Sequence, residues 1–309
     1  MNEFELPVVD ILMATYNGEK YLKDQINSIL YQTYKNWRLI IRDDNSSDRT
    51  TEIINNYADL DPRIIICNDD KGNLGVFKNF MELISISDSP YIMFADQDDI
   101  WINDKVEVSL KFIRKVEKEN SPTLVFSNSI LMNEGLTKKF GFNYRTSFKP
   151  ELTNFLFYNA GYQGAAMIFN IDLKKKIFPF FDNCPVHDYH ISLVGLLLGN
   201  VFYIDRPLML YRRHEKATTV QNLTILSRLR WVLKKKSFIY DVKMLHYLKA
   251  FSKHYESTIP ERKKKIIEEY FLLVSNELSM FRKARIVMKS KFTLRGSTLY
   301  LIFKLFSLK

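Results

Sequence analysis

The chain has 309 residues, 46% of them hydrophobic, enough to bury the core of one large α/β domain or of one domain with an appendage. The longest strongly apolar stretch, 191–204, is too short to span a membrane, the N-terminus lacks the basic segment of a signal peptide, and Cys67 and Cys184 lie far apart, so we expect a cytoplasmic protein. The net charge of +10 is concentrated after residue 222, where 20 Lys and Arg stand against 6 Asp and Glu.

Short apolar runs alternate with helical patterns over the first half of the chain. This alternation predicts parallel strands joined by crossover helices, and right-handed crossovers would arrange the strands in one doubly wound sheet. Ser46 or Ser47 is the expected N-cap of the second helix. The predicted strands are 8–14, 37–42, 63–67, 91–95 and 123–127, and the predicted helices are 19–33, 46–58, 74–86 and 104–118.

Polar loops follow three of these strands. The first strand ends in TYNG (15–18), the second in DDNSSD (43–48) and the fourth in DQDD (96–99). Ligands of such sheets bind outside the carboxyl ends of the strands, so we expect these loops to face one crevice. Each loop alone could be an ordinary turn or a helix cap, but carboxylates that converge would repel one another unless a partner binds there.

The residue types in these loops suit a nucleotide diphosphate and its metal ion. Asp43 and Asp44 offer acceptors for a base imino group or for ribose hydroxyls, and Thr15 offers groups for the opposite edge of a base. Asp96 and Asp98 could bind one hard cation, Mg²⁺ or Mn²⁺, that is shared with diphosphate oxygens.

An ordered set of motifs runs over residues 7–220. The motifs are ILMATYNGEKYL, QTY, RDDNSSDRT, GNLGVFKNF, ADQDDIW, HDY and YIDRPLMLYRRH. In this order and spacing they resemble family 2 of the nucleotide-sugar glycosyltransferases, which are inverting enzymes. The resemblance implies a GT-A fold, an α/β Rossmann-like architecture with a mostly parallel central sheet flanked by helices, here followed by a basic helical extension.

The same resemblance implies a nucleotide site. Thr15, Tyr16 and Asn17 match the residues that line the nucleotide after the first strand. Asp44 matches the residue that hydrogen-bonds the pyrimidine base, with Asp43 beside it.

The ADQDDIW segment carries the metal and sugar positions that the resemblance implies. Asp98 matches the direct metal ligand, and Asp96 matches a residue nearer the ribose and the metal-bound waters. Asp99 and Trp101 would lie toward the sugar and the acceptor.

The second half of the chain supplies the remaining positions. Asp188 in HDY matches the general base that deprotonates the acceptor hydroxyl, and its alternative role is to cap the helix that runs to Leu198. Gly164 lies in a small-residue segment that would approach the sugar closely, or would form a tight strand turn. After a strand at 201–205, the positions Arg212, Arg213 and His214 could approach the diphosphate, or could form a solvated basic loop.

The basic region 223–309 reads as amphipathic helices appended to a catalytic domain at 1–222. In SRLRWVLKKKSFIYDVKMLHYLKAF and in GSTLYLIFKLFSLK, apolar and aromatic residues are interspersed with Lys and Arg, a pattern typical of an anionic membrane surface. The alternative is that these helices pack on the catalytic domain or on a second copy, as a homodimer. Nucleic-acid binding would require a recognisable module, which the sequence lacks.

These features predict a metal-dependent inverting glycosyltransferase, peripheral at the inner face of the cell membrane. It would transfer a sugar to a glycan or lipid-linked saccharide during synthesis of a bacterial surface polysaccharide such as a capsule. The resemblance to the rhamnosyltransferase branch favours dTDP-L-rhamnose as the donor, with UDP-galactose, UDP-glucose and UDP-N-acetylglucosamine as alternatives. A sugar nucleotidyltransferase and a non-catalytic scaffold docked on a membrane are the alternatives from other classes.

Overall fold

In the part of the chain that the structure describes, nine strands form one mixed sheet with helices on both faces. The strands are β1 (Val9–Thr15), β2 (Trp37–Asp43), β3 (Ile64–Ile66), β4 (Tyr91–Ala95), β5 (Ile100–Trp101), β6 (Thr123–Asn133), β7 (Lys139–Phe142), β8 (Met167–Asn170) and β9 (Asn200–Arg213). The computed structural model describes residues 6–157, 161–181, 184, 186–214, 240–275, 277–294 and 296–306.

The helices agree with the predicted ones in the first half of the chain. They are α1 (Leu22–Leu30), α2 (Thr50–Leu60), α3 (Gly75–Ile86), α4 (Lys105–Val116), α5 (Leu152–Phe155), α6 (Ile171–Ile177), α7 (His187–Leu198), α8 (Val242–His254), α9 (Glu261–Val274), α10 (Met280–Ser290) and α11 (Thr298–Phe306).

The sheet is parallel on one side and mixed on the other. Strands β3, β2, β1 and β4 are neighbours in that order and run parallel, as the alternating pattern predicts. Strand β8, which was not predicted, lies between β4 and β6 and is antiparallel to both, so the predicted strands share one sheet but β4 and β6 are not neighbours. Strands β6 and β9 are longer than predicted and pair in parallel.

The two faces of the sheet bury separate apolar clusters. Alternate residues of β1 point to opposite faces, so Ile11 and Met13 contact one cluster whereas Leu12 contacts the other. All three side chains are fully buried. The parallel strands are therefore covered on both faces, as expected for a sheet with crossover helices.

Helix α2 begins later than the sequence indicates. Its first residue is Thr50, and Arg49 occupies the N-cap position without a side-chain capping bond. Ser46 instead donates its hydroxyl to Asp43, 2.6 Å away. The predicted cap at Ser46 or Ser47 is wrong because these residues form the turn after β2.

The C-terminal helices pack on the face of the sheet that also carries α3 and α7. Tyr247, Leu248 and Phe251 of α8 are buried in the same cluster as Leu12 and Phe94. The alternative that the C-terminal helices pack on the catalytic domain is therefore confirmed for the buried face of α8. The predicted boundary near residue 222 lies outside the described residues, as does most of the first basic segment. Among the described helices, none is long and apolar enough to cross a membrane.

Candidate active site

The three polar loops meet at one rim of the sheet, as predicted. The Thr15 hydroxyl donates to Asp43 (2.8 Å), and the Asp44 amide donates to the Thr15 carbonyl (2.8 Å), which joins the first two loops. Gln97 joins the third loop to the first, since its side chain accepts from the Tyr16 amide (2.9 Å) and donates to the Tyr16 carbonyl (3.0 Å).

Tyr16 and Asn17, two of the predicted nucleotide-binding residues, differ in their exposure and contacts. The Tyr16 side chain is half exposed at the rim, where it could contact a ligand. Asn17 has a left-handed backbone (φ 47°), and its side chain accepts from the Ser47 amide (2.8 Å). Asn17 therefore ties two loops together, and its contact with a nucleotide stays a prediction.

Asp44 is buried and already has three donors. Its carboxylate accepts from Arg42 (2.9 Å) and from the amides of Leu74 (2.7 Å) and Gly75 (2.8 Å). In this structure Asp44 therefore holds the loop that precedes α3. Its contact with a pyrimidine base stays a prediction.

An acidic cluster follows β4. Desolvation raises the pKa of Asp96 to about 7, and the charges of Asp98 and Asp188 act in the same direction. Burial raises the pKa of Asp99 well above its usual range, again with a contribution from Asp98. The buried Lys105 is the nearby countercharge, and burial lowers its pKa to about 7. Sequence reasoning missed this lysine, although its place just after the acidic run was a usable signal.

Strand β9 ends beside the same cluster. His214 Nε2 lies 2.7 Å from Asp98 Oδ2, which brings an imidazole to a carboxylate whose side chain is 21% exposed. Arg212 is buried and donates its Nε to the Asp98 carbonyl (2.8 Å) and its amide to Asp99 (3.1 Å). The expectation that Arg212 faces a diphosphate is wrong, because it holds the acidic loop in place. Arg213 Nε has no hydrogen-bond partner in the described part of the chain.

Asp99 and Trp101 lie inside the protein and do not face an acceptor site, which corrects the prediction. Both are at most 1% exposed. Strand β5 pairs with β9, with Trp101 opposite Met209, and this pairing draws the segment into the sheet. The Lys105 ammonium lies 3.7 Å from the centroid of the Trp101 ring. The two residues therefore support the rim from beneath.

Asp188 lies in the first turn of α7. The N-cap of this helix is Val186, so Asp188 does not occupy the capping position. Desolvation raises the pKa of Asp188 to about 7, although the amides of Tyr189 and Gly164 favour its ionised form. Its Oδ1 has no hydrogen-bond partner among the described residues. A carboxyl group with a pKa near 7 and a free oxygen is suited to general-base work.

The small-residue segment before β8 packs closely against α7. A Cβ on Gly161 would lie 2.2 Å from the Asp188 carbonyl carbon, and one on Gly164 would lie 2.7 Å from His187 Nε2. Gly164 begins a short 3₁₀ turn that leads into β8, which agrees with the alternative of a tight turn. Its approach to a sugar stays a prediction.

A buried hydrogen-bonded chain supports the other side of α7, and sequence reasoning missed it. Tyr247 of α8 lies 2.6 Å from His190 Nδ1, and His190 Nε2 lies 2.8 Å from the Ile177 carbonyl. Burial lowers the pKa of His190 to about 4, so the imidazole is neutral, accepts from the tyrosine and donates to the carbonyl. The second histidine of HDYH was a signal, but nothing in the sequence indicates its partner.

The donor set at the rim fits a divalent ion shared with a diphosphate. Asp98 is 21% exposed at its side chain and lies beside His214, while Asp96 follows the same strand. No group of three or more potential metal ligands occurs among the residues that the structure describes. Mg²⁺ is commonly held by one or two carboxylates together with phosphate oxygens and water, so two protein ligands are sufficient for such a site.

Comparison with known sequences identifies related proteins. The family model described as glycosyl transferase family 2 matches residues 10–168. The dTDP-rhamnosyl transferase RfbG of Shigella flexneri is 30% identical over 228 residues, which cover 69% of this chain and 75% of that protein. The UDP-Glc:alpha-D-GlcNAc-diphosphoundecaprenol beta-1,3-glucosyltransferase WfgD of Escherichia coli is 28% identical over 200 residues, or 64% of this chain and 73% of that protein.

Solved structures share the fold. TarS 1-349 of S. aureus in complex with UDP-GlcNAc superposes with a TM-score of 0.56 at 14% identity, over 97% of this chain and 90% of that one. The mannosyltransferase PcManGT of Pyrobaculum calidifontis, in complex with GDP-Man and Mn²⁺, also gives 0.56, at 13% identity, over 98% and 81%. The predicted GT-A fold class is confirmed by this agreement.

Proposed function

The chain belongs to glycosyl transferase family 2, and we propose that it transfers a sugar from a nucleotide-sugar donor to a hydroxyl group of a glycan acceptor, with inversion at the anomeric carbon. The observation that carries this proposal is the convergence of Asp98 and His214 with Asp188 around one acidic rim. Asp96 links the two sides, because the charges of both Asp98 and Asp188 raise its pKa.

Asp188 is the proposed general base. Its unpartnered Oδ1 would accept the proton of the acceptor hydroxyl, and the resulting oxygen nucleophile would attack the anomeric carbon from the side opposite the nucleotide. A single displacement of this kind inverts the anomeric configuration and needs no covalent intermediate.

Asp98 and His214 are the residues that would hold Mg²⁺ or Mn²⁺, with Asp96 beside them. When bound, the ion would neutralise charge on the diphosphate leaving group. Tyr16, half exposed on the adjoining loop, would contact the nucleotide, while the buried Thr15 would position Asp43 through its hydroxyl. Arg212 would act indirectly, since it fixes the backbone that carries Asp98.

The favoured donor is dTDP-L-rhamnose, which the similarity to the rhamnosyl transferase RfbG supports. A UDP-hexose is the second candidate, supported by the similarity to WfgD, whose name specifies UDP-glucose. The name of WfgD also specifies a diphosphoundecaprenol acceptor, which supports a lipid-linked saccharide as the acceptor here, in polysaccharide synthesis at the inner face of the membrane. A sugar nucleotidyltransferase is disfavoured, because TYNGEKYL after β1 is not a glycine-rich basic phosphate loop.

A thermal-shift screen followed by a transfer assay tests the proposal. We expect one nucleotide sugar among dTDP-rhamnose and the UDP-hexoses to raise the melting temperature, and to do so more strongly with Mn²⁺ or Mg²⁺ present. In the parent, kcat/KM should rise with pH through about 7 as Asp188 ionises.

Two variants separate the roles of the carboxylates. Asp188→Asn should retain the donor-induced shift and lose transfer by roughly 10²- to 10⁴-fold. Asp98→Asn should lose the metal-dependent part of the shift. The matched control is Asp172→Asn, which alters a first-turn carboxylate of α6 that is ion-paired to Lys175 outside the rim. Unchanged transfer by Asp188→Asn would contradict the assigned base, and a parent that binds no nucleotide sugar would favour a scaffold.

A further inference from the structure

Helices α10 and α11 leave large apolar side chains exposed. On α11, Leu299, Phe303 and Phe306 are 77%, 62% and 44% exposed, and their spacing of four and three residues places them on one stripe. On α10, Phe281 and Met288 are 84% and 60% exposed and lie seven residues apart, again on one stripe. We refer to these five residues as the α10–α11 surface.

The opposite faces of the same helices are anchored in the protein. Val287 of α10 and Leu301 and Leu305 of α11 are buried in the core cluster that contains α7 and α8. Each helix therefore already has a packed apolar face, and its exposed stripe is additional apolar surface. In a monomeric soluble protein such a patch commonly marks a contact site.

The positive charge around this surface indicates which kind of partner it can bind. Residues 280–306 contain seven Lys and Arg and no Asp or Glu. Arg282, Arg285, Lys289 and Lys291 are exposed on or beside α10. A second copy of the chain would bring two such basic surfaces together, which is unfavourable, whereas an anionic bilayer offers both negative charge and hydrocarbon.

We propose that the α10–α11 surface docks the protein on a bilayer that contains anionic phospholipid. Phe and Leu side chains enter the boundary between headgroups and acyl chains, and the surrounding Arg and Lys contact lipid phosphates. The proposal does not depend on the proposed reaction, because vesicle binding requires neither donor nor acceptor. If the acceptor is lipid-linked, this contact keeps the enzyme on the surface where its acceptor lies.

Vesicle flotation with the full chain tests the proposal. The probes are vesicles of phosphatidylcholine alone and vesicles of phosphatidylcholine mixed with phosphatidylglycerol. We expect the parent to float with the anionic vesicles only, and to be released by high salt. The double variant Leu299→Ser/Phe303→Ser should bind at least about tenfold more weakly.

The control variant replaces exposed apolar residues that lie outside the α10–α11 surface. Leu60 and Tyr31 are 81% and 71% exposed on the catalytic half, and Leu60→Ser/Tyr31→Ser should bind vesicles like the parent. A second test variant, Arg282→Gln/Arg285→Gln, leaves the apolar stripes intact and should weaken binding to anionic vesicles several-fold.

Three outcomes would overturn the proposal. The first is a parent that floats with neither vesicle, and the second is binding that both test variants retain in full. The third is concentration-dependent self-association of the parent, seen by sedimentation velocity, that the Leu299/Phe303 variant abolishes while vesicle binding is absent. That result would assign the surface to a second copy of the chain.

Discussion

Replacement of Tyr247 by phenylalanine removes one buried hydrogen bond between the C-terminal helices and α7. Tyr247 is 1% exposed, and its hydroxyl donates to His190 Nδ1 over 2.6 Å. Phenylalanine keeps almost all of the apolar contact, so the cost arises from the lost bond and from the imidazole nitrogen that is left buried without a donor. A net hydrogen bond contributes about 1 kcal/mol, and an unsatisfied buried group costs about 1–3 kcal/mol. We expect the free energy of unfolding to fall by about 2 kcal/mol.

Urea unfolding followed by far-UV circular dichroism measures this change. The matched control is Tyr255→Phe, because Tyr255 donates over 3.4 Å to the Lys176 carbonyl at a partly exposed position. Its loss should cost less than about 0.5 kcal/mol. Equal effects of the two substitutions would refute the reasoning. Unfolding in two separate transitions would also refute it if Tyr247→Phe left the transition of α7 unchanged, because the C-terminal helices would then unfold independently of α7.

The same substitution should loosen α7 before the rest of the sheet. His190 lies two residues after Asp188 on that helix, so the bond to Tyr247 restrains the element that carries the proposed base. Native-state amide hydrogen exchange should show lower protection of α7 in Tyr247→Phe than in the parent, with β1 unchanged.

Three further predictions concern residues around the rim. Gly161→Ala should destabilise the protein by about 1–3 kcal/mol or more in thermal unfolding, because the new Cβ would lie 2.2 Å from the backbone of α7; Gly135→Ala, with no neighbour nearer than 4.0 Å, should be close to neutral. Asp188→Asn should stabilise the unliganded protein by about 4 kcal/mol at pH 8 and by less than about 1 kcal/mol at pH 4, because a carboxyl whose folded pKa is raised to about 7 costs stability as it ionises; equal melting temperatures of parent and variant at both pH values would contradict this. Arg42→Met should cost about 3 kcal/mol in urea unfolding, because it leaves the buried Asp44 carboxylate without its cation, whereas Arg49→Met, at an exposed ion pair, should cost less than about 1 kcal/mol; similar costs would show that the buried pair is dispensable.

The parallel half of the sheet could be predicted because its information is local. Each strand from β1 to β4 is a short apolar run followed by a helical pattern, and the rule that carboxyl ends share one edge then brings Thr15, Asp43 and Asp98 together. The position of β8 could not be predicted. Strand β8 pairs with two strands that lie far earlier in the chain: Phe169 is opposite Ile92, 77 residues before it, and Ile168 is opposite Val125, 43 residues before it. No local pattern encodes such a pairing.

The sequence indicated which residue types belong to the site, but it did not indicate which of those side chains are buried or what they contact. The small-residue segment before β8 was expected to approach a sugar, but the nearest neighbours of Gly161 and Gly164 in the structure are Asp188 and His187 of α7, which lie 27 and 23 residues away in sequence. Trp101 was expected at the acceptor side because the resemblance of the ADQDDIW segment to the family implies that position. Pairing between β5 and β9 buries it instead, and that pairing depends on how far β9 extends.

The acidic run after β4 contains a residue that a ligand could reach and a residue that only supports the rim. Asp98 is accessible and contacts His214, whereas Asp99, its neighbour in sequence, is fully buried against the Arg212 amide. A cation or a diphosphate can reach Asp98 without displacing any backbone contact, but it could reach Asp99 only by separating β5 from β9. Identical side chains therefore acquire different roles through strand pairing alone. It follows that substitution of Asp98 should act on ligand binding with little change in stability, while substitution of Asp99 should act first on the packing of the rim.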